Sequence, residues 1–158
     1  MHGLDWILWG FVATVVFTLT AALFYGLGLT RMSWPYLIGL MYTPDRDRAL
    51  FIGSIGHLLM GWVFSLFYIA LFHSIHKATW WFGGIIGLVH GLYILTVVMF
   101  FLPAIHPRMA HEQQGPTVSK GLEAPGFLAM NYGVGTPLTV LASHFVFGAI
   151  LGALYKVT

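Results

Sequence analysis

Four uncharged apolar runs divide the chain, and the short polar stretches between them set its organisation. The runs extend from Trp6 to Thr30, from Ala49 to Phe72, from Ala78 to Ile105 and from Pro137 to Tyr155. A helix needs about 20 apolar residues to cross a hydrocarbon core about 30 Å thick. Hydrocarbon offers no water to an unpaired backbone, so such runs fold as helices. The pattern predicts an all-α membrane protein with four transmembrane helices. The chain would form a single membrane domain, residues 1–158.

The polar positions supply the boundaries. Trp6, Trp9, Trp34, Tyr36, Tyr42, Trp80 and Trp81 fall at predicted ends, where aromatic side chains favour the headgroup layer. Thr43-Pro44 and Thr136-Pro137 read as an N-cap followed by the first helical residue. Asp45 and Asp47 suit the N-terminal end of the second helix. Residues 31–48 and 106–136 form long connections on one side, and His73 to Lys77 a tight turn on the other. Each long connection holds a Pro-x6-Tyr piece, Pro35–Tyr42 and Pro125–Tyr132, expected to be a short amphipathic interfacial helix. The long-loop side carries Arg31, Arg46, Arg48, Arg108 and Lys120, and the other side Lys77 and Lys156. Counted by Lys and Arg, the long loops face the cytoplasm of a multi-pass protein of the cell (inner) membrane.

The segments HLLMGWVFSLFY (His57–Tyr68) and HFVFGAILGALY (His144–Tyr155) share the spacing His-x3-Gly-x6-Tyr. The order of helix, Pro-x6-Tyr piece, Thr-Pro and His-bearing helix occurs twice. This predicts two tandem helix pairs, unit one over 1–77 (spans 6–30 and 49–72) and unit two over 78–158 (spans 78–105 and 137–155). An even number of spans per unit relates them by a pseudo-two-fold axis along the membrane normal. Small residues recur in steps of four, which keeps them on one helix face. The rows are Gly10, Thr14, Thr18, Ala22 and Gly26; Gly53, His57, Gly61 and Ser65; Gly83, Gly87 and Gly91; and His144, Gly148 and Gly152. Helices in lipid associate through close packing of small residues, so the rows predict short interaxial distances.

Composition confirms the membrane reading and narrows the chemistry. The chain is 58% hydrophobic and 8% charged, against roughly 25% charged in a soluble domain. A net charge of +2 without a basic run gives no nucleic-acid surface and implies no soluble substrate. The absence of cysteine excludes disulfides, thiolate metal sites and cysteine nucleophiles. The N-terminal MHGLDWILWG lacks the basic region of a signal peptide and reads as the start of a retained helix.

His57, His90 and His144 are the ionisable groups deep in the predicted spans, tyrosines apart, and such groups are functional candidates. Imidazole pairs suit haem b, another histidine-ligated pigment or a metal. Against that stands a packing role, each neutral ring donating to an oxygen on a neighbouring helix. The small-residue rows share the histidine face and favour packing, leaving ligation for a peripheral face or a subunit interface. A proton relay is the weakest option, because no Asp or Glu lies in a span. In IHPRMAHE, His106, Met109 and His111 form a set that copper would accept, or an ordinary polar loop. Met1 and His2 add little. Asp45, Asp47, Glu112 and Glu123 read as solvated loop acids, and Ser54, Ser65 and Ser143 as packing residues that bond back to their own helix. No nucleophile–base arrangement or phosphate loop is present.

Gly53, Gly56, His57, Gly61 and Tyr68, then His90-Gly91, then His144, Gly148, Gly152 and Tyr155 resemble small, uncharacterised four-helix bacterial membrane proteins. The resemblance implies the architecture and carries no activity. The expectation is a non-enzymatic accessory or scaffold subunit of a larger respiratory or photosynthetic complex, in contact with lipid and other membrane subunits. The alternative is a haem b- or metal-binding membrane protein using the intramembrane histidines. A small channel or transporter is the third, its polar positions being mainly Thr14, Thr18, Thr20 and Thr96.

Overall fold

The computed structural model describes residues 3–111, 113 and 115–157, with side chains from Asp5 onward. Met1, His2 and Glu112 lie outside the described residues. The elements are α1 (Gly3–Gly26), α2 (Trp34–Gly39), α3 (Arg46–Ser74), α4 (Trp80–Tyr93), a π-helical segment (Ile94–Val98), α5 (Met99–Ile105), a 3₁₀ segment (Phe127–Tyr132) and α6 (Thr136–Leu154). Four helices are long and apolar enough to cross a membrane: Asp5–Gly26, Arg46–Ser74, Trp80–Ile105 and Thr136–Leu154.

Local chemistry moves several of the expected boundaries. The first helix stops at Gly26 rather than Thr30. Gly28 takes φ +72°, the Leu29 N–H reaches Phe24 O at 3.1 Å, and the Gly28 N–H reaches Tyr25 O at 3.0 Å. Those two bonds around a left-handed glycine are a Schellman stop. The second helix is capped by Asp45, whose Oδ1 accepts the Arg48 N–H at 2.8 Å, and not by Thr43. The fourth takes Thr136 as its first helical residue, with Gly135 at the cap position. Thr136 is fully buried, and its hydroxyl lies 2.7 Å from that of Thr30.

The third span carries a π-helical turn, the Met99 N–H bonding to Ile94 O. Of the two expected loop helices, α2 forms from Trp34 to Gly39, with Ser33 as its cap. The second is not α-helical. Leu128 and Ala129 have φ of 51° and 61°, so the segment is a 3₁₀ turn with a left-handed kink.

The long connections meet at one end of the bundle and bond to each other. The Arg31 N–H donates to Tyr132 O at 2.7 Å, and Arg31 pairs with Glu123 at 3.2 Å. His106 Nε2 donates to Leu37 O at 3.0 Å, and Arg108 Nη1 to Leu40 O at 2.6 Å. These two side chains satisfy carbonyls at the end of α2 that no helical turn can reach. At the opposite end, the Lys77 N–H bonds to Phe72 O and His76 takes φ +52°, closing the tight turn.

The small residues mark where backbones approach. A Cβ on Gly83 would run into Gly148 O, one on Gly87 into His144 O and one on Gly152 into Thr79 O. α4 and α6 are therefore in backbone contact. Between α1 and α3, a Cβ on Gly61 would strike Thr14, and one on Gly10 would lie 2.6 Å from Ser65 Oγ. Gly53 serves a different neighbour, since a Cβ there would meet Pro35 O at the start of α2. α1 also packs against α6. Between α3 and α4 the bridge is made by side chains: Tyr68 OH lies 3.1 Å from His90 Nδ1, and Phe64 lies 4.5 Å from the His90 ring.

An intramembrane histidine pocket as candidate functional site

His57 enters the bundle from α3, His90 from α4 and His144 from α6, and all three line one cavity of about 50 Å³. Its walls are apolar and largely aromatic: Phe17 from α1, Trp34 from α2, Phe64 and Met60 from α3, and Phe147 from α6. The Phe17 ring lies 5.1 Å from His57 and 4.8 Å from His144. Trp34 is near-parallel to His57 at 6.2 Å and edge-on to His144 at 6.3 Å. His90 and His144 meet edge to face at 4.8 Å, so the imidazole against His144 is His90.

Hydrogen bonds fix which nitrogen carries the proton. The Thr18 hydroxyl donates to Thr14 O at 2.8 Å, so it accepts from His57 Nδ1, 3.0 Å away. His144 Nδ1 lies 2.8 Å from Val140 O, and a carbonyl can only accept. Both rings are thus Nδ1–H tautomers with a free lone pair on Nε2. They are buried, His57 at 8% and His144 at 5% exposure. His90 Nε2 is buried with no partner at all. His144 lies with its backbone against Gly87 of α4 while its ring lines the cavity. Packing and presentation of a ring are therefore two jobs of one residue.

A second cavity, of about 100 Å³, shares Trp34 and His57 with the first and reaches Ser33 and Tyr25 near the long connections. On the other side the bundle is closed. Ile69, Phe72 and Leu151 are at most 1% exposed, and Phe147 is 4% exposed. The pocket lies between the long-loop side and the apolar layer of Ile69, Phe72 and Leu151, and its lining includes the exposed Met60.

The volume decides one of the expected ligands. Sites for cofactor-sized molecules occupy about 300–1,000 Å³, far above the 50 Å³ here. The cavity as it stands is smaller than a porphyrin requires; His57 and His144 are buried and His90 is half-buried.

The loop set is engaged elsewhere. His106 Nε2–H donates to Leu37 O, and its Nδ1 accepts the Arg108 N–H at 3.2 Å, so neither nitrogen has a lone pair to spare. Burial holds the His106 imidazole below its ordinary value, with the bond to Leu37 opposing and the charge of Arg108 adding to the shift. Met109 is fully buried in the apolar cluster with Met32, Leu37 and Tyr132. His111 Nε2 accepts from Lys120 Nζ at 3.0 Å. Among the described residues no three His, Asp or Glu side chains stand together as a metal-holding group.

Phe17, Thr18, Trp34, Met60 and Phe64 belong to the site and were not among its sequence candidates. Thr18 could have been found, since it sits on the small-residue row of α1 one turn from Thr14. Trp34 carried the opposite signal. It reads as an interface aromatic, yet α2 lowers it into the bundle over His57. The tyrosines of the repeated motif also part company, Tyr68 bonding to His90 and Tyr155 to His73 at 2.7 Å. No family model, curated protein or solved structure matches the chain. Of the resemblance drawn from the sequence, the four long apolar helices stand.

Proposed function

We propose that this chain is a non-enzymatic, multi-pass membrane protein that binds a small ligand inside the bilayer through histidine Nε2 atoms. One observation carries the reading. Both His57 and His144 spend their Nδ1–H on a fixed oxygen, which leaves Nε2 unprotonated, and both line a shared cavity with His90. A buried polar atom without a partner costs about 1–3 kcal/mol, and His90 Nε2 on the same cavity lining is such an atom. A ligand in the cavity would satisfy it. Metal-ligating histidines are held in this way, by an oxygen on the other nitrogen.

The accessory-subunit reading rests on a broad exposed apolar surface, including Phe51, Phe67, Phe100 and Phe101. Lipid covers such a surface as well as protein does, so it does not select a partner. A through-channel is opposed by the plug at Ile69, Phe72 and Leu151.

The helix register supports descent from a duplicated pair. Gly10–Ser65, Thr14–Gly61 and Thr18–His57 face each other across α1 and α3. Thr79–Gly152, Gly83–Gly148 and Gly87–His144 do so in the same order where the third span meets α6. The pseudo-two-fold is broken between the pairs, where α1 packs on α6 but side chains alone bridge α3 and α4. In this reading α2 and the 3₁₀ segment lie at the cytoplasmic interface of the cell membrane, where Arg31, Arg46, Arg48, Arg108 and Lys120 gather.

Native mass spectrometry of protein extracted without chelators tests the proposal. The wild type is expected to carry a small added mass that the His57→Gln/His144→Gln variant lacks. Identical bare masses for both would reject the reading. A stable larger complex on a native gel, with no bound mass, would favour the accessory subunit.

A further inference from the structure

The geometry points to a lipid that ends in a primary hydroxyl, taken up from the bilayer between α3 and α4, as the ligand of the histidine pocket. This rests on the ligand-binding reading above and names the ligand's chemistry and its route.

The route follows from helix pairing. The glycines of α4 are used against α6, and those of α3 against α1 and α2. Helices in lipid close on each other through small residues, and none is left to close α3 on α4. Their seam is bridged by the side chains of Phe64, Tyr68 and His90. The cavity reaches that seam, taking Met60, Gly61 and Phe64 from α3 and His90 and Ile94 from the third span. Met60 lines the cavity and is yet 44% exposed, so the mouth opens there. It is the central residue of α3, about 21 Å from either end at 1.5 Å per residue. That depth is lipid tail rather than water. The π-helical turn begins at Ile94 on the same lining, an irregularity that recurs at functional sites. Toward the long-loop side, Trp34 and His57, near-parallel at 6.2 Å, are the wall shared with the second cavity.

His90 sets the polar end of the ligand. The Tyr68 hydroxyl has His90 Nδ1 as its hydrogen-bond partner, 3.1 Å away. Donating to that nitrogen is the arrangement that uses the phenol proton, so the imidazole proton sits on Nε2. His90 Nε2–H is then a buried donor without an acceptor, and an oxygen completes it. His57 and His144 add bare Nε2 atoms to the same lining, which suit an O–H. A hydroxyl accepts and donates at once.

Charge and size narrow the rest. No Asp, Glu, Lys or Arg among the described residues lines the cavity, so a carboxylate, phosphate or ammonium would be buried unpaired. No group of three His, Asp or Glu among the described residues could hold a metal ion. A cavity of about 150 Å³ holds benzene. One of about 50 Å³ takes the –CH₂OH end of a chain, and a ring-borne hydroxyl is too broad for it. The chain behind that end leaves past Met60 into the lipid.

The test is native mass spectrometry of the full-length protein in detergent with hexadecan-1-ol, and photo-crosslinking with the same alcohol carrying a diazirine near its hydroxyl. Hexadecane, hexadecyl methyl ether and hexadecanoate are the comparators. The expected result is one alcohol per chain, crosslinked around Met60 and His90, with every comparator bound more weakly. His90→Leu should weaken alcohol binding about tenfold, as for one lost buried hydrogen bond. Met60→Trp, at a lipid-exposed residue, should keep the fold by circular dichroism and block loading. Equal binding of any comparator would overturn the hydroxyl assignment, and it needs no variant. Crosslinks confined to the long connections, or alcohol binding unchanged in both variants, would overturn the site and its route. An ion or a water-soluble molecule as the bound mass of the native protein would overturn the lipid and leave the ligand-binding reading standing. No native bound mass and no uptake of the alcohol would end both.

Discussion

Alanine at Gly83 should destabilise the protein although alanine is the better helix former. A Cβ there would run into Gly148 O and come within 3.1 Å of Gly152 N, where ordinary contact begins at 3.4 Å. Those neighbours are backbone and cannot rotate away, so α4 and α6 must part. Overpacking of this kind typically costs about 1–3 kcal/mol. Separation also loosens the contacts of Gly87 with His144 and of Gly152 with Thr79, placing the cost near the upper end. Helix propensity returns up to about 1 kcal/mol, leaving a net loss of about 1–2 kcal/mol. Gly26 is the control. A Cβ there meets nothing within 4 Å, so Gly26→Ala should be neutral or stabilising. Unfolding in mixed micelles with rising SDS, followed by circular dichroism, measures both. Gly83→Ala combined with Gly148→Ala should cost less than the sum of the two, because helices already parted by one Cβ admit the second. Gly83→Ala as stable as the wild type would be incompatible with backbone contact between α4 and α6.

Other outcomes follow from single contacts. Thr18→Val removes the oxygen that fixes the His57 tautomer and should weaken ligand binding by about 10–100-fold, read as loss of the added mass in native spectra; an unchanged bound mass would disconnect Thr18 from the site. His76→Gly should stabilise the short turn by about 1 kcal/mol, since φ +52° is costly for a side chain and free for glycine; SDS unfolding reports it. The His106 imidazole is held below its ordinary value of 6.5, so its contribution is complete above pH 6.5. It declines as pH falls below that, because the unfolded state then takes up the proton first. Protease cleavage within 106–136 should accordingly be faster at pH 5.5 than at 7.5, and His106→Ala should be cleaved quickly at both. Phe72→Ala empties part of the plug and should cost about 3–5 kcal/mol; an SDS midpoint near the wild type would mean that end is not tightly packed.

The histidines show how far one-dimensional reading reaches. Their depth and their place on the small-residue rows were visible, because both depend on spacing along a single helix. His144 bonds to Val140 of its own helix, but the His57 tautomer was not visible, since its partner Thr18 lies on α1, nor was the bond of His90 to Tyr68 on α3. Nor was the cavity, which exists where rows that close α4 against α6 and α1 against α3 leave the centre to aromatic rings. The loop set His106, Met109 and His111 looked like a cluster because its members are close in sequence. Folding sends one to α2, one into the apolar core and one to Lys120.

The sequence by itself determined the four spans and their stripes of small residues. Apolar length and a period near four are local properties, and lipid enforces their consequences on each helix separately. Tertiary structure alone decided that Trp34 descends over His57 and that His90 meets His144. It also decided that α3 and α4 stay apart while α1 closes on α6. Those outcomes depend on how helices distant in sequence share space, and no single helix carries that information.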